Sequence, residues 1–252
     1  MNKRLIAYLL SLFALIGCSK EEFFKGKISI YEDFENIDNV DDLLLNGNWE
    51  YYQQTEKNNY IKIDTINPYS GKNCLKVFAT KGNISKSDIA NNKMSFWEGD
   101  IVRISAWFYL EGTDKLNYVF LFDIEENAMI GASPGIRIAI DEEGYLLIER
   151  NKYRQSTIQQ SKNNRTPFPR NQWVKLMIEL DLQQRKTGYI KLWQDDAQLI
   201  NAENIQTLPV DKLYFIQGTK GMYQNIQIGV TATTSDYDVT IFIDDIEIKK
   251  LN

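Results

Sequence analysis

The stretch VRISAWFYL, residues 102–110, decides the fold. Its apolar side chains recur at every second position, beginning with Val102, and this period of two is typical of a half-buried β-strand. Arg103, Trp107 and Tyr109 fall on the opposite face, where packing against the same core does not require them. The stretch therefore predicts a strand with one buried face and one face that is aromatic and charged.

The same alternation recurs along most of the chain, with turn signals such as Ser70-Gly71 and Thr187-Gly188 between the segments. Long helical periodicity is missing, and residues 38–45 are the one place where a short helix is expected. The pattern predicts an all-β chain folded as a two-sheet antiparallel β-sandwich, or jelly roll. The other alternating segments are residues 28–31, 60–63, 136–140, 174–180, 189–193 and 239–243.

Composition limits the chemistry of the 252-residue chain more than it defines it. Hydrophobic residues make up 43% and aromatic residues 12%, enough for a real core. The sequence contains no histidine, which excludes Ser-His-Asp triads, Cys-His dyads and histidine-based zinc sites. Any catalysis must use Tyr, Lys, Arg, Asp or Glu.

The first residues have the features of a secretory signal. Lys3 and Arg4 precede an apolar run that ends at Gly17, too short for a membrane span of about 20 residues. Cys18 follows directly, so the segment resembles a bacterial lipobox, in which this cysteine carries lipid. An ordinary signal peptide with an incidental cysteine is the alternative. We predict a signal peptide at 1–17, a lipidated tether at 18–27 and a single jelly-roll domain at 28–252.

The predicted compartment and partners follow from this start. Residues 19–22, SKEE, resemble the surface-export signal of glycan-foraging Gram-negative bacteria, which predicts a surface-exposed outer membrane lipoprotein. Without Lys3 and Arg4 the chain has two fewer basic residues than the 29 of the whole sequence, against 34 acidic, for a net charge of −7. Nucleic acid is therefore not expected as a partner. With Cys18 lipidated, Cys74 has no disulfide partner and is expected to be a small buried residue.

The outward faces of the predicted strands are candidates for glycan binding. Sugar rings stack on aromatic side chains, while arginine and lysine bind hydroxyl and carboxylate groups. If these strands are neighbours, their outward residues line one surface; if a loop covers them, they are only packing residues. The outward residues outside the first strand are Arg137, Lys175, Tyr189, Lys191 and Trp193.

Residues 150–171 form the longest predicted loop, and they carry six basic residues and no Asp or Glu. Such a basic segment beside a groove would attract an anionic polysaccharide, although a solvated loop with scattered charge is an equal alternative. The densest part contains Arg150, Lys152, Tyr153 and Arg154.

Acidic residues near the two ends of the domain are candidates for a structural calcium site. Calcium prefers several oxygen ligands from carboxylates and carbonyls. Glu32, Asp33 and Asp244 are the candidate ligands, and strand-end acids exposed to water are the alternative.

Several segments together resemble concanavalin-A-like and laminin-G-like jelly rolls, particularly those of heparin-lyase-like polysaccharide lyases and of carbohydrate-binding modules. The resemblance covers most of residues 28–250. It is carried by YEDFE at 31–35, SGKNCLKV at 70–77, ISAWFYL at 104–110, QWVKL at 172–176, GYIKLWQDD at 188–196 and IDDI at 243–246.

The resemblance implies a concave sheet that holds a glycan, and an ion near the terminal strands. In the lyases it implies a Tyr or His that removes the proton α to a uronate carboxyl, and Arg, Gln, Asn or His that neutralises this carboxyl. Two functions follow: a surface lipoprotein that binds a polysaccharide, or a lyase that cleaves an anionic, uronate-containing glycan by β-elimination with a Tyr base. The candidate catalytic residues are Tyr153, Arg137, Arg150 and Lys152. The candidate glycan-binding residues are Arg103, Trp107, Tyr109, Arg137, Glu149, Arg154, Lys175, Tyr189, Lys191 and Trp193.

Overall fold

The structure is a computed structural model that describes residues 29–128, 131–150, 156–208 and 222–252. This part of the chain contains fifteen strands and one short helix, which confirms the all-β prediction. The predicted signal peptide, Cys18 and the tether lie outside the described residues. The elements are β1 (Ser29–Glu32), α1 (Val40–Leu45), β2 (Tyr51–Gln54), β3 (Tyr60–Asp64), β4 (Cys74–Ala79), β5 (Ser85–Asn91), β6 (Ile101–Leu110), β7 (Val119–Ala128), β8 (Gly131–Ile140), β9 (Leu146–Arg150), β10 (Thr157–Gln159), β11 (Trp173–Asp181), β12 (Gly188–Gln194), β13 (Ala197–Ile205), β14 (Tyr223–Thr233) and β15 (Val239–Lys250).

The strands form two antiparallel sheets, as predicted for a β-sandwich. Sheet A has eight strands in the order β13-β12-β11-β6-β15-β4-β3, with β1 paired to the far half of β15. Sheet B has seven strands in the order β10-β9-β8-β7-β14-β5-β2. Non-consecutive strands are neighbours in both sheets, so the chain crosses repeatedly between them.

The core lies between the sheets and is built from alternate residues of their strands. On β6 the predicted core face, Val102 to Leu110 at every second residue, is fully buried, whereas Arg103, Trp107 and Tyr109 are half-buried on the outer face of sheet A. On β8 the predicted core residues Ile136, Ile138 and Ile140 are buried against the same core. The period-two prediction therefore assigns the faces of these strands correctly.

The predicted short helix is α1, which is held by its cap rather than by its length. The Asn39 side chain accepts hydrogen bonds from the backbone N–H groups of Asp41 and Asp42, and these two acids lie where the positive end of the helix dipole favours them. Leu43 is buried and fixes the helix to the core.

Cys74 begins β4 and is buried as a free thiol, as the sequence predicted. Burial raises the pKa of its thiol to about 12, so the sulfur is not a nucleophile at neutral pH. Within the described residues, no helix has the length and hydropathy required to cross a membrane.

Candidate functional site

A row of polar side chains crosses the outer face of sheet B, the face turned away from the core. Strand pairing places Glu149 of β9 opposite Arg137 of β8, Arg137 opposite Asp123 of β7, and Asp123 opposite Gln227 of β14. Directly paired residues share one face of a sheet, so their side chains are neighbours. We call this set the transverse row; its members are Glu149, Arg137, Asp123, Gln227 and Tyr51, which lies two strands beyond Gln227, with Ala90 of β5 between them.

Arg137 is the cation of the transverse row. Its Nε lies 3.0 Å from a carboxylate oxygen of Asp123, and its Nη1 lies 3.7 Å from Glu149. The guanidinium also lies over the ring of Phe120, 3.7 Å from the ring centroid. Only 12% of the side chain is exposed, so these contacts hold it in place against the sheet.

A hydrogen-bonded chain lies at the other end of the row. The Tyr51 hydroxyl donates to Oδ1 of Asn225 at 3.1 Å, and Nδ2 of Asn225 lies 2.9 Å from the same hydroxyl. Nδ2 of Asn225 also donates to Glu125 at 2.6 Å. Burial raises the pKa of Tyr51, while hydrogen bonds from Asn225 and Gln227 oppose the rise. Tyr51 therefore carries its proton at neutral pH. When it is ionised, the amides of Asn225 and Gln227 stabilise the anion.

Two carboxyl groups on this face are buried and have strongly perturbed acidity. Burial raises the pKa of Asp123 to about 7, although Arg137 opposes the rise. Burial also raises the pKa of Asp88, and the charges of Asp123 and Glu125 add to this effect. Both carboxyls therefore retain protons at pH values where ordinary aspartates are ionised.

Asp88 lies against a residue that has no side chain. It is paired with Gly229 of β14, which adopts φ +144°, and a Cβ added there would lie 2.6 Å from the carbonyl oxygen of Ser87. Glycine is therefore required for the close approach of β5 and β14 at this point. Both carboxyl oxygens of Asp88 and Oε1 of Gln227 are buried without a hydrogen-bond partner in the structure.

Buried polar groups without partners, beside residues of perturbed pKa, are typical of functional sites. A bound sugar, with its several hydroxyl groups, would supply donors and acceptors to such a surface. The face also carries a small apolar patch next to the row, formed by Phe120, Ala139, Leu147 and Ala232. Planar polar groups with an adjacent aromatic ring are the composition expected for carbohydrate binding.

The residues that the sequence predicted to bind a glycan lie on both outer faces of the sandwich. Arg137 and Glu149 belong to the transverse row of sheet B. The remaining described members lie on sheet A and point away from the opposite side of the core, so the two groups do not form one surface. These sheet A residues are Arg103, Trp107, Tyr109, Lys175, Tyr189, Lys191 and Trp193.

On sheet A, the predicted residues largely contact one another and a covering loop. Tyr69 stacks on Trp107 with ring centroids 3.7 Å apart. Arg103 forms an ion pair with Glu179, and the Tyr189 hydroxyl donates to the same carboxylate at 2.9 Å. Burial and the Glu179 bond raise the pKa of Tyr189 to about 12. Tyr69 therefore covers Trp107, which agrees with the alternative that these outward aromatic residues serve packing.

Strand pairing places two of the predicted catalytic residues, Arg137 and Arg150, on opposite faces of sheet B. Arg150 is opposite Ile136, a core residue, whereas Arg137 is opposite Glu149 on the outer face. Arg150 is buried and donates to the carbonyl oxygen of Gln206, so the structure does not bring it beside Arg137. Parity is the reason, since residues 149 and 150 of one strand point to opposite faces. Lys152, Tyr153 and Arg154 lie outside the described residues.

The candidate calcium ligands make other contacts. Glu32 accepts hydrogen bonds from the side chains of Asn48 and Trp49. Asp244 accepts them from the backbone N–H groups of Tyr69 and Ser70, and burial raises its pKa to about 6. In the described part of the chain, no group of three or more Asp, Glu or Cys side chains is placed to hold a metal ion. The calcium site with Glu32, Asp33 and Asp244 stays a prediction without support from these contacts.

Sequence reasoning missed most of the transverse row. The signal was present in β14, where Asn225 and Gln227 alternate with isoleucines, and in β7, where Asp123 and Glu125 interrupt an apolar run. Both strands contain register shifts, which break a simple period of two. The missed residues are Tyr51, Asp123 and Gln227 of the row, together with Asp88, Glu125 and Asn225 beside it.

The fold and this face define a class of protein: a jelly-roll β-sandwich with a polar site across one sheet. Residues 45–247 match the family model described as polysaccharide lyase. The chain therefore belongs to the polysaccharide lyase family, which confirms the resemblance that the sequence indicated. Among curated proteins, no sequence match was found.

Solved structures with the same fold cover nearly the whole chain. An endo-β-1,4-glucuronan lyase from the fungus Trichoderma reesei has a TM-score of 0.67 at 14% identity, covering 88% of this chain and 95% of its own. A cellulose-induced protein has a TM-score of 0.62 at 18% identity, with coverage of 87% and 96%. A marine alginate lyase from Aplysia kurodai has a TM-score of 0.58 at 14% identity, with coverage of 90% and 99%. At these identities the likeness concerns the fold.

Proposed function

We propose that the chain is a polysaccharide lyase that binds a uronate-containing glycan on the outer face of sheet B and cleaves it by β-elimination. The observation that carries this proposal is the Tyr51–Asn225 hydrogen bond on the same face as Arg137 and Gln227. Family membership supports it, as do the structural neighbours whose names give glucuronan and alginate, both polyuronates, as substrates.

The reaction removes the proton on the carbon α to the uronate carboxyl and breaks the bond from the adjacent carbon to the glycosidic oxygen. A carbon–carbon double bond forms, and the leaving oxygen gains a proton. The α-proton becomes acidic only when the carboxylate charge is offset, a role for Arg137 and Gln227. The Tyr51 anion accepts the α-proton, and the hydroxyl that results donates a proton to the leaving glycosidic oxygen, with Asn225 as the hydrogen-bond partner of both forms. Because burial raises the pKa of Tyr51, this anion is the minor form at neutral pH.

Charge on this face determines whether an anionic glycan can approach. If Asp88, Asp123, Glu125 and Glu149 were all ionised, they would outweigh Arg137 and repel a uronate. Because burial raises the pKa of Asp123 to about 7 and that of Asp88 in the same direction, protons on these two acids reduce the repulsion below neutral pH. A protonated carboxyl can also donate a hydrogen bond to the uronate.

A second candidate is capture of the polysaccharide without cleavage. It is favoured by the contacts of Arg137 with both Asp123 and Glu149, which already use its charge, and by the raised pKa of Tyr51. The absence of histidine from the sequence adds to this reading, since the usual neutral-pH base is missing. Both candidates use the same face of sheet B.

We propose further that Cys18 anchors the protein through lipid to the outer membrane and that it is displayed on the cell surface. Support comes from the basic residues, apolar run and cysteine in that order, and from the acidic SKEE segment after the cysteine.

The test compares two neighbouring tyrosines in the ultraviolet assay for unsaturated uronate. We expect Tyr51→Phe to abolish product formation on polyglucuronate or alginate. Tyr52→Phe is the matched control, because the Tyr52 hydroxyl lies 3.4 Å from Asp41, away from the transverse row. Wild-type activity that survives in Tyr51→Phe removes Tyr51 from the mechanism. Glycan retention by all three proteins without any product supports capture instead.

A further inference from the structure

A cavity of about 810 Å³ lies at one end of sheet B, beside the transverse row but separate from it. It is formed by the residue before β7, the turn between β8 and β9, and the loop after β10. Its volume is in the range of small-molecule sites in proteins. The side chains that bear on its chemistry are Tyr118, Tyr145, Gln159, Asn163 and Arg165.

The loop that forms one wall of the cavity is fixed to the fold by internal hydrogen bonds. Gln160 is buried, and its amide donates to the carbonyl oxygens of Leu146 and Thr166 and accepts from the N–H of Thr166. Phe168 enters the core, and its N–H donates to Gly144 at 2.8 Å. The wall is therefore preformed, which lowers the ordering cost of binding a ligand.

Tyr118 occupies a backbone conformation that is unfavourable for a tyrosine. Its φ is +42°, in the left-handed region. Thr234 holds the segment, since its N–H donates to the carbonyl oxygen of Tyr118 and its hydroxyl donates to that of Asn117. Strained residues held in this way are concentrated at ligand sites, and Tyr118 lines the cavity.

The charges that line the cavity do not favour an anion. Arg165 forms an ion pair with Glu143 at 2.8 Å and lies over the Tyr145 ring. The three acids Asp141, Glu142 and Glu143 outnumber the two bases, Arg165 and Lys162. No excess of positive charge remains for a carboxylate or sulfate. Two tyrosine rings with amide side chains suit the apolar face and hydroxyl groups of an uncharged sugar.

The cavity is joined to the transverse row by ring contacts. Arg137 lies over Phe120, and the Phe120 ring stacks with that of Tyr118 at 6.4 Å. Gln159 at the cavity is paired with Leu147, two residues from Glu149 on the same face. Two residues along a strand are about 7 Å, so one oligosaccharide can reach both places.

We propose that this cavity is a second carbohydrate subsite, which takes an uncharged sugar residue of the polysaccharide bound at the transverse row. The inference rests on the proposed function for the polysaccharide ligand. The polymer recognised would then contain neutral sugars, as part of its backbone or as branches, in addition to uronates.

The test measures monosaccharide binding, so it does not depend on cleavage. Saturation-transfer NMR on the whole chain with methyl β-glucoside, methyl β-xyloside and methyl β-glucuronide should show binding of at least one neutral glycoside that depends on Tyr145 and Tyr118, whereas any binding of the glucuronide, which the transverse row accounts for, should not depend on them. Tyr145→Ala and Tyr118→Ala should each weaken the neutral signal by about tenfold. Tyr145→Phe, which keeps the ring, should retain it.

Controls separate this subsite from the proposed reaction. Tyr51→Phe should leave the neutral-glycoside signal unchanged, as should Tyr31→Ala on sheet A, and thermal unfolding should show that the alanine variants fold. No transfer to any neutral glycoside, or equal transfer in Tyr145→Ala and wild type, overturns the proposal. Stronger binding of the glucuronide at the same residues overturns its assignment to an uncharged sugar. A variant that loses lyase activity but still binds the neutral glycosides is altered at the transverse row and leaves the subsite intact.

Discussion

Asp123 lies 3.0 Å from Arg137, yet its pKa is raised to about 7 instead of lowered. An exposed aspartate beside an arginine would become more acidic. Here the burial of Asp123 outweighs the attraction of the guanidinium, and the nearby charges of Glu125 and Glu149 act in the same direction as burial. The Asp123 carboxyl therefore loses its proton near pH 7, and the net charge of the pair changes there.

The Arg137–Asp123 pair should contribute to stability mainly above pH 7. We expect Arg137→Met to lower the free energy of unfolding by about 3 kcal/mol at pH 8, because it leaves a buried carboxylate unpaired. At pH 5 the loss should be smaller, since Asp123 is protonated there. Urea unfolding at the two pH values measures this, with Arg165→Met at an exposed pair as a control expected to cost under about 1 kcal/mol. Equal losses at both pH values would contradict the assigned pKa.

Binding of an anionic glycan should weaken as pH rises through about 7. Asp123 loses its proton over this interval and adds a negative charge beside Glu125 and Glu149, opposed only in part by Arg137 and Lys86. Retention on an alginate or polyglucuronate gel should therefore be stronger at pH 6 than at pH 8. Asp123→Asn should flatten this dependence, while Asp196→Asn, at an exposed position, should not. An unchanged pH profile in Asp123→Asn would exclude this carboxyl as its source.

The raised pKa of Asp123 also makes the free energy of unfolding fall as pH rises, in the same direction as glycan binding. The folded protein binds the Asp123 proton more tightly than the unfolded chain, whose aspartate titrates near 4. The free energy of unfolding therefore falls as pH rises from about 4 to about 7 and is flat above that range for this group. The fold accepts this cost at a position where an apolar residue would be more stable, which is expected of a functional site.

Gly229 should tolerate a methyl group much less than another glycine of positive φ. A Cβ at Gly229 would lie 2.6 Å from Ser87 O and 2.8 Å from the Cα of Asp88, so β5 would have to shift. We expect Gly229→Ala to lower the free energy of unfolding by about 2–4 kcal/mol. Gly144→Ala, with φ +86° and open space around the Cβ, should cost about 1 kcal/mol. Similar melting temperatures for the two variants would contradict the close approach.

The outer faces of the strands could be predicted from the sequence, because period-two alternation is a local property. Val102, Arg103 and Trp107 take the faces expected of them, and the short helix begins after its Asn39 cap. Which strands pair is not local. Arg137 and Trp107 both point outward on alternating strands, but the topology places β8 and β6 in different sheets.

The site itself could be predicted only in part for the same reason. Arg137 and Glu149 become neighbours through strand pairing, and Asp123, Gln227 and Tyr51 join them from other strands that are distant in the sequence. Their signal in the sequence is polar residues within otherwise apolar strands. Register shifts in β7 and β14 blur that signal, so parity alone does not assign their faces.

A substitution on sheet A distinguishes the two outer faces. Trp107 packs under Tyr69, so Trp107→Ala should lower the free energy of unfolding by about 1–3 kcal/mol through lost ring contact and burial. Because we place the glycan on sheet B, retention on a glycan gel should not change below the melting temperature. Loss of retention in a folded Trp107→Ala protein would instead support the sequence-based prediction of glycan binding by the sheet A residues.

Lipid attachment is testable through the two cysteines. Expression of the whole chain in a Gram-negative host with labelled palmitate should give a labelled protein, and Cys18→Ser should remove the label. Cys74→Ser is the control, because Cys74 is buried at the start of β4 and should not carry lipid. Labelling that survives in Cys18→Ser would exclude Cys18 as the anchor.

The most direct measurement is an ultraviolet absorbance assay of the wild-type protein on alginate, polyglucuronate, pectin and heparin, at pH 6 and pH 8. We predict that absorbance from unsaturated uronate rises on at least one of these polymers, and that Tyr51→Phe, but not Tyr52→Phe, removes the rise. No rise on any polymer at either pH, with glycan still retained on a gel, would contradict cleavage and leave polysaccharide capture on sheet B.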